Sequence, residues 1–340
     1  MASKFCLDIA LILGFFCVCI HAQEKVFNVL SYGAKADGKT DNSMHINGLE
    51  IKGHGILDGQ GAYAWRKPQC TNLPFTLGFY FINNAIVHDI HSINSKGLHI
   101  NVFSSNNVKF RHVHITAPGD SPNTDGIHIG YSTNIHILDS DIGTGDDCIS
   151  MIEGSKSINI SGVTCGPGHG ISIGSLGKSS NNEIVKDIHV KNCTFIATQN
   201  GVRIKTWASM NPGSATTITF EDIIMQKAWN PIFIDQHYCP ASPCNSPESS
   251  VQIKDVTFNN IRGSSSSVAA VTLNCSALFP CQGIILNDIN LVYDGPGGPA
   301  ISSCAHAKGK ATGKELPPSC LKSSLDFFSS HKKEMLHHFL

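Results

Sequence analysis

At 340 residues, with 25 basic and 26 acidic side chains and 41% hydrophobic residues, the chain has room for one large domain or two ordinary ones. The near balance of charge excludes a nucleic-acid-type basic field, so no nucleic-acid partner is expected. The 17 histidines qualify this, because at ordinary pKa values of about 6.5 many would protonate in a mildly acidic compartment and make the surface cationic, which suits a polyanionic ligand.

In chain order, residues 1–22 read as a secretory signal: Lys4 precedes an apolar run from Ile9 to Ile20, and Ala22 offers a small residue for cleavage before Gln23. The run is short for a transmembrane span and nothing later is longer or more apolar, so no membrane association is expected once the signal is removed. Of the 13 cysteines, Cys6, Cys17 and Cys19 leave with the signal. The remainder is an even, dispersed set without paired zinc-ligand spacing, which predicts disulfides in an extracellular protein. Proximity pairs Cys148 with Cys165, Cys239 with Cys244, Cys275 with Cys281 and Cys304 with Cys320, leaving Cys70 and Cys193 unassigned. Asn159, Asn192 and Asn274 head glycosylation sequons.

A short phrase then recurs: a polar residue, often Asn, followed by alternating β-branched and polar residues. It appears as Asn84-Ala85-Ile86-Val87, Asn107-Val108-Lys109-Phe110, Asn134-Ile135-His136-Ile137 and Ser157-Ile158-Asn159-Ile160, with later copies near Ile184, Ile218, Val251 and Ile284. A second strand opening on glycine follows, as Gly97-Leu98-His99-Ile100, Gly126-Ile127-His128-Ile129, Gly170-Ile171-Ser172-Ile173 and Gly201-Val202-Arg203-Ile204. Strands this short, repeating with no helical periodicity between them, must stack on their neighbours to bury an apolar face. The pattern predicts an all-β parallel β-helix, a solenoid with continuous Ile and Val ladders. A β-sandwich is disfavoured, because two-residue hairpin turn signals do not run throughout.

Aligning Ile127, Ile149, Ile171 and Val202 places Asp125, Asp147, His169 and Asn200 in one column, the first three spaced by 22 residues. Adjacent coils are about 4.8 Å apart, so the carboxylates and the histidine would stack, with Asp146 beside them. Arg203 and Lys205 alternate with inward Val202 and Ile204 and should face outward one coil further on. Strict alternation would turn Asp125 inward with Ile127, so a bend is expected before each strand. Stacked like charges raise at least one pKa and oppose stability, which favours a functional over a purely structural column. Asp-rich turns and a calcium site are the competing readings. The chemistry that suits the set is acid–base hydrolysis of a glycosidic bond, with Arg203 and Lys205 holding a sugar carboxylate.

Asn123-Thr124-Asp125, Gly145-Asp146-Asp147, Gly168-His169-Gly170 and Arg203-Ile204-Lys205, in this order, resemble the four signature motifs of the polygalacturonases, family 28 of the glycoside hydrolases. The resemblance runs from about Val26 to Cys320 and is similar in its wider sequence to the pollen-type, exo-acting branch of the plant enzymes. It implies a right-handed parallel β-helix and inverting hydrolysis of α-1,4-linked galacturonan in pectin, with no metal or other cofactor. It also implies Asp146 as general acid, Asp125 and Asp147 positioning and deprotonating water, and His169 supporting the acid. Arg203, Lys205 and Asn123 would bind substrate. Pectate lyases share the solenoid but require calcium and lack these four motifs.

One departure stands out. Val26 to Asp41 resembles the usual start of the family, yet within a few residues His45-Ile46-Asn47-Gly48-Leu49 reads as a later coil. A block of coils is therefore expected to be missing near 42–46, which raises the alternative of a catalytically impaired pectin-binding variant. The expected organisation is a signal at 1–22, one catalytic solenoid at 23–320 acting as a monomer in the cell wall, and a tail at 321–340 of unassigned role.

Overall fold

The computed structural model describes residues 47–66, 73–240, 244 and 246–321. The expected signal, the expected break near 42–46, Cys70 and the tail beyond Leu321 lie outside the described residues.

Within them the chain is a parallel β-helix. Coils pair strand on strand in parallel, as in Thr133–Leu138 against Asn106–Arg111 and Lys156–Ser161. One sheet of nine strands includes Leu77–Tyr80, Ile100–Phe103, Ile127–Gly130, Ile149–Met151, Ile171–Leu176 and Asn200–Trp207 in stacking order. A second, of sixteen strands, holds two further ladders that merge where Gly213–Ala228, Val251–Ser265 and Cys281–Tyr293 run around a corner of the coil. Asp222, Asn260 and Asp288 lie within these long strands at positive φ, a conformation that short polar side chains tolerate. Ala62–Trp65 is a single helical turn, and no helix among the described residues is long and apolar enough to cross a membrane.

Alternation makes the core. Ile135, Ile158, Ile188, Ile218, Val256 and Ile284 form one buried file through successive pairings. Each contributes about 1.5–3 kcal/mol by leaving water. Phe220 and Phe258 extend the stacking, with ring centroids 5.2 Å apart. Two phrases sit elsewhere than expected. Ile188 and Val256 occupy the file positions expected at Ile184 and Val251, because the strands Glu183–Lys191 and Val251–Ser265 begin earlier than their aligned halves. Likewise Ile100, not Leu98, pairs with Ile127, which leaves Gly97 to His99 on the turn before the strand.

The alignment of Ile127, Ile149, Ile171 and Val202 is the observed register. The four expected disulfides form. Cys193 is a buried free thiol whose pKa burial raises to about 12, which marks it as a small core residue.

Candidate active site

The site is built on the bends that feed the nine-stranded sheet. Ladder hydrogen bonds continue through them: Gly126 N–H donates to Asp147 O at 2.9 Å, and Cys148 N–H to Gly170 O at 2.8 Å. Asp125 and Asp147 therefore sit on stacked bends rather than inside the strands, which resolves the parity that strict alternation would have imposed. Two local devices hold the bends together. The Thr124 hydroxyl accepts the Gly145 N–H at 3.0 Å and contacts Ser121 Oγ at 2.7 Å. Gly145 packs so closely that a Cβ there would lie 2.0 Å from Ser121 O. The Cys148–Cys165 disulfide lies directly behind Asp147 in sequence.

Asp147 is almost fully buried and receives three donors. Ser172 Oγ and Arg203 Nη2 reach its Oδ1 at 2.7 and 2.6 Å, and Lys205 Nζ reaches Oδ2 at 2.9 Å. Burial alone would raise its pKa, but Arg203, Lys205 and the Ser172 hydrogen bond outweigh it and hold the carboxyl below the usual range. Asp125 behaves oppositely. Burial, reinforced by the negative charges of Asp147 and Asp146, raises its pKa against the opposing pull of His128. Ser150 Oγ donates to its Oδ2 at 2.7 Å, and His128 Nδ1 lies 3.6 Å from the same oxygen.

Asp146 is more open, with 22% of its side chain exposed, against 12% for Asp125 and 3% for Asp147. Its Oδ1 lies 3.0 Å from His169 Nδ1 and accepts the Asp147 N–H at 2.8 Å. No hydrogen bond from the described residues reaches Oδ2, which leaves that oxygen open to an incoming ligand. Arg203 and Lys205 face outward as expected, yet each is only 8% exposed, because Asp147 draws them down against the wall. Lys205 Nζ also lies 5.3 Å from the centre of the Tyr238 ring.

The structure thus brings Asp125, Asp146, Asp147, His169, Arg203 and Lys205 onto one wall. Asn123 stands exposed on the preceding turn at φ 54°. The fourth column member, Asn200, plays a supporting part: its Nδ2 donates to His169 O at 3.1 Å and its Oδ1 accepts from Asn230 at 3.0 Å. Sequence reasoning missed Ser150, Ser172, His128 and Tyr238. The two serines and His128 were findable, since each is the outward neighbour of an aligned isoleucine and they share one row with Arg203.

Donor atoms of Asp146, Asp147 and His169 lie within 4.8 Å of one another, a spacing a cation could exploit. The donor set does not fit one. Asp147 already holds a guanidinium and an ammonium, and hard divalent ions seek oxygen-rich sites without adjacent positive charge.

A parallel β-helix that gathers three carboxylates, a histidine and two cations on one wall has the parts of an acid–base hydrolase for an anionic polysaccharide. The chain belongs to family 28 of the glycosyl hydrolases, whose family model matches residues 27–313. An exopolygalacturonase from Platanus acerifolia is 47% identical over 290 residues, covering 83% of this chain and 77% of the relative. Among solved structures, an endo-xylogalacturonan hydrolase from Aspergillus tubingensis aligns with a TM-score of 0.66 at 24% identity, covering 80% of this chain and 78% of that one. A polygalacturonase from Erwinia carotovora ssp. carotovora aligns with a TM-score of 0.59 at 25% identity, covering 78% and 71%.

Proposed function

We propose that this chain hydrolyses α-1,4-galacturonosyl linkages of pectin by an inverting acid–base mechanism without a metal, removing units from a chain end. The observation that carries this reading is the division of the carboxylates: Asp147 is locked as an anion by Arg203 and Lys205, while Asp146 presents an open Oδ2 beside His169. Asp146 gives a proton to the leaving glycosidic oxygen as its bond to the anomeric carbon breaks. A water attacks that carbon from the opposite face, and its proton passes to the Asp125–Asp147 pair. An oxygen of Asp146 lies within 4.8 Å of one of Asp147. Inversion requires room for the water between acid and base, so the configuration of the product decides this part of the reading.

Arg203 spends Nε on Ser172 and Nη2 on Asp147, and Lys205 spends one of its donors on Asp147. The donors left over suit the carboxylate of a galacturonate unit. Asn123, at the rim three rungs before Arg203, would contact another part of the bound chain. Exo attack is supported by the name of the Platanus relative. The disulfides suit an oxidising compartment, and a pectin substrate supports a cell-wall location.

The test is incubation of purified protein with polygalacturonic acid in the presence of a chelator. Reducing ends should appear, with monomer as the first product and inverted configuration at the new anomeric centre by NMR. A folded sample that binds oligogalacturonides without turnover would favour the impaired variant. Unsaturated products absorbing in the ultraviolet would identify a lyase.

A further inference from the structure

The outer face of the nine-stranded sheet changes character on the coils that precede the carboxylates. Alternation buries Ile100, Val102, Ile127 and Ile129 and turns Asn101, Phe103, His128 and Gly130 outward. Pairing sets Tyr80 beside Phe103 and Asn101 beside His128. The row from Asn101 through His128 continues into Ser150, Ser172 and Arg203, so this face is continuous with the carboxylate site.

Aromatic side chains dominate it. Phe103 is the hub, with the rings of Tyr131, Tyr80 and Phe81 centred 5.2, 6.0 and 6.5 Å away. Tyr80, Phe81 and Tyr131 are 39%, 48% and 45% exposed, a large apolar surface to leave in water. Asn101 Nδ2 donates to the Tyr80 hydroxyl at 2.7 Å and orders that ring.

The backbone gives a second, independent sign. Phe81 and Tyr131 occupy equivalent turns at φ 57° and 50°. More than half of the other non-glycine residues at positive φ among those described are Asn or Asp, which tolerate it. Bulky aromatics in that conformation strain the backbone, and such strain persists where the side chain is used.

Charge defines the occupant. The outward positions Gly78, Tyr80, Asn101, Phe103, His128 and Gly130 include no Lys or Arg. His128 is turned away, toward Ser150 and Asp125. Glu153 hydrogen-bonds the Tyr131 hydroxyl. A free galacturonate carboxylate would find no cation here and would face an acidic neighbour, whereas its methyl ester carries no charge and adds apolar contact. We infer that the Tyr80–Phe103–Tyr131 surface binds methyl-esterified galacturonate units, extending the site toward the amino-terminal coils. This rests on the pectin-hydrolase reading above.

The test is titration calorimetry on the Asp146→Asn protein, which binds without cutting, using two oligogalacturonides of equal length. One is fully de-esterified and the other partly methyl-esterified. Phe103→Leu keeps apolar bulk but loses the ring, and Tyr131→Asn keeps a residue suited to its turn. Each is expected to weaken binding of the esterified oligomer by about tenfold and that of the de-esterified one clearly less. Equal weakening of both ligands, no weakening, or no binding of the esterified oligomer by the parent protein overturns the inference. The two readings fail separately. Wild-type protein that does not cut polygalacturonan, with ester-selective losses intact, sinks the hydrolase and leaves the binding surface. Turnover with indifferent variants does the reverse.

Discussion

Arg203 Nη2 stands 2.6 Å from Asp147 Oδ1, although 56 residues separate the two in sequence. Both are buried, so removing the guanidinium would leave the Asp147 carboxylate with Lys205 and Ser172 alone. Arg203→Ala is expected to lower stability by about 1.5–3 kcal/mol in urea denaturation and to raise KM for polygalacturonan. Arg203→Lys restores charge but not the planar fork that serves Ser172 and Asp147 together, so recovery should be partial.

In the proposed mechanism Asp146 has a different dependence, because its free Oδ2 serves turnover and contributes little to folding. Asp146→Asn should reduce kcat by about 10²–10⁴ with an unchanged thermal midpoint. His169→Ala removes one of the two partners on Oδ1, leaving the Asp147 N–H, and should cost less activity than the Asp146 change. Reducing-end assays alongside circular dichroism separate these outcomes.

The pH profile should reveal Asp125. Its pKa is raised by burial and then by the charges of Asp147 and Asp146, while that of Asp147 is lowered. As pH falls, Asp125 therefore protonates first, and kcat/KM should decline through a pKa above the ordinary Asp value of about 3.9. An acid limb lying below that value would belong to Asp147 instead. Stability follows the same signs. Ionised Asp125 opposes folding above its raised pKa, and the opposition fades as pH falls through that pKa toward the ordinary value. The stability lent by Asp147 is present above the ordinary value and is lost as pH falls through its lowered pKa. Asp125→Asn should thus be inactive, with a neutral-pH thermal midpoint equal to or above wild type.

Gly145 tests the bend itself. A Cβ there would overlap Ser121 O and N, at 2.0 and 2.5 Å, and neither atom can move without shifting the neighbouring coil. Gly145→Ala should displace Asp146 and reduce activity by about a hundredfold or more. Gly55→Ala, where nothing lies within 4 Å, is the matched control and should be neutral in both activity and melting.

The Cys148–Cys165 bridge closes a separation of 17 residues. Replacing both cysteines with serine should destabilise the protein by about 3 kcal/mol, read by urea midpoint under oxidising conditions. Activity should fall with it, because Cys148 directly follows Asp147.

Much of this arrangement was legible in the chain. Glycine precedes Ile127, Ile171 and Val202, and Ile127, Ile149 and Ile171 fall 22 residues apart, which revealed both the register and the stacked acids. Ile184 and Val251 misled because alternation records parity but not where a strand begins. Their strands start earlier, so that Ile188 and Val256 enter the core file. Ser150 and Ser172 were passed over because an uncharged hydroxyl has no signal of its own. Its role appears only once the acids on the bends are known to lie within reach. Tyr238 could not be assigned, since its approach to Lys205 depends on a register shift between the strands that carry them.

The coils leading from Ile127 to Ile149 and from Ile149 to Ile171 are the same length, and each is one rung of the same three-sided ladder. Such a scaffold is modular in whole turns. Excising a full coil would remove a rung and let the remaining ones close up with every side chain still facing the correct way. Losing a single residue inside a strand would exchange inside for outside along that edge. The chain can therefore lengthen or shorten at its ends by coils while the distances among Asp125, Asp147 and Arg203, counted in rungs, stay the same.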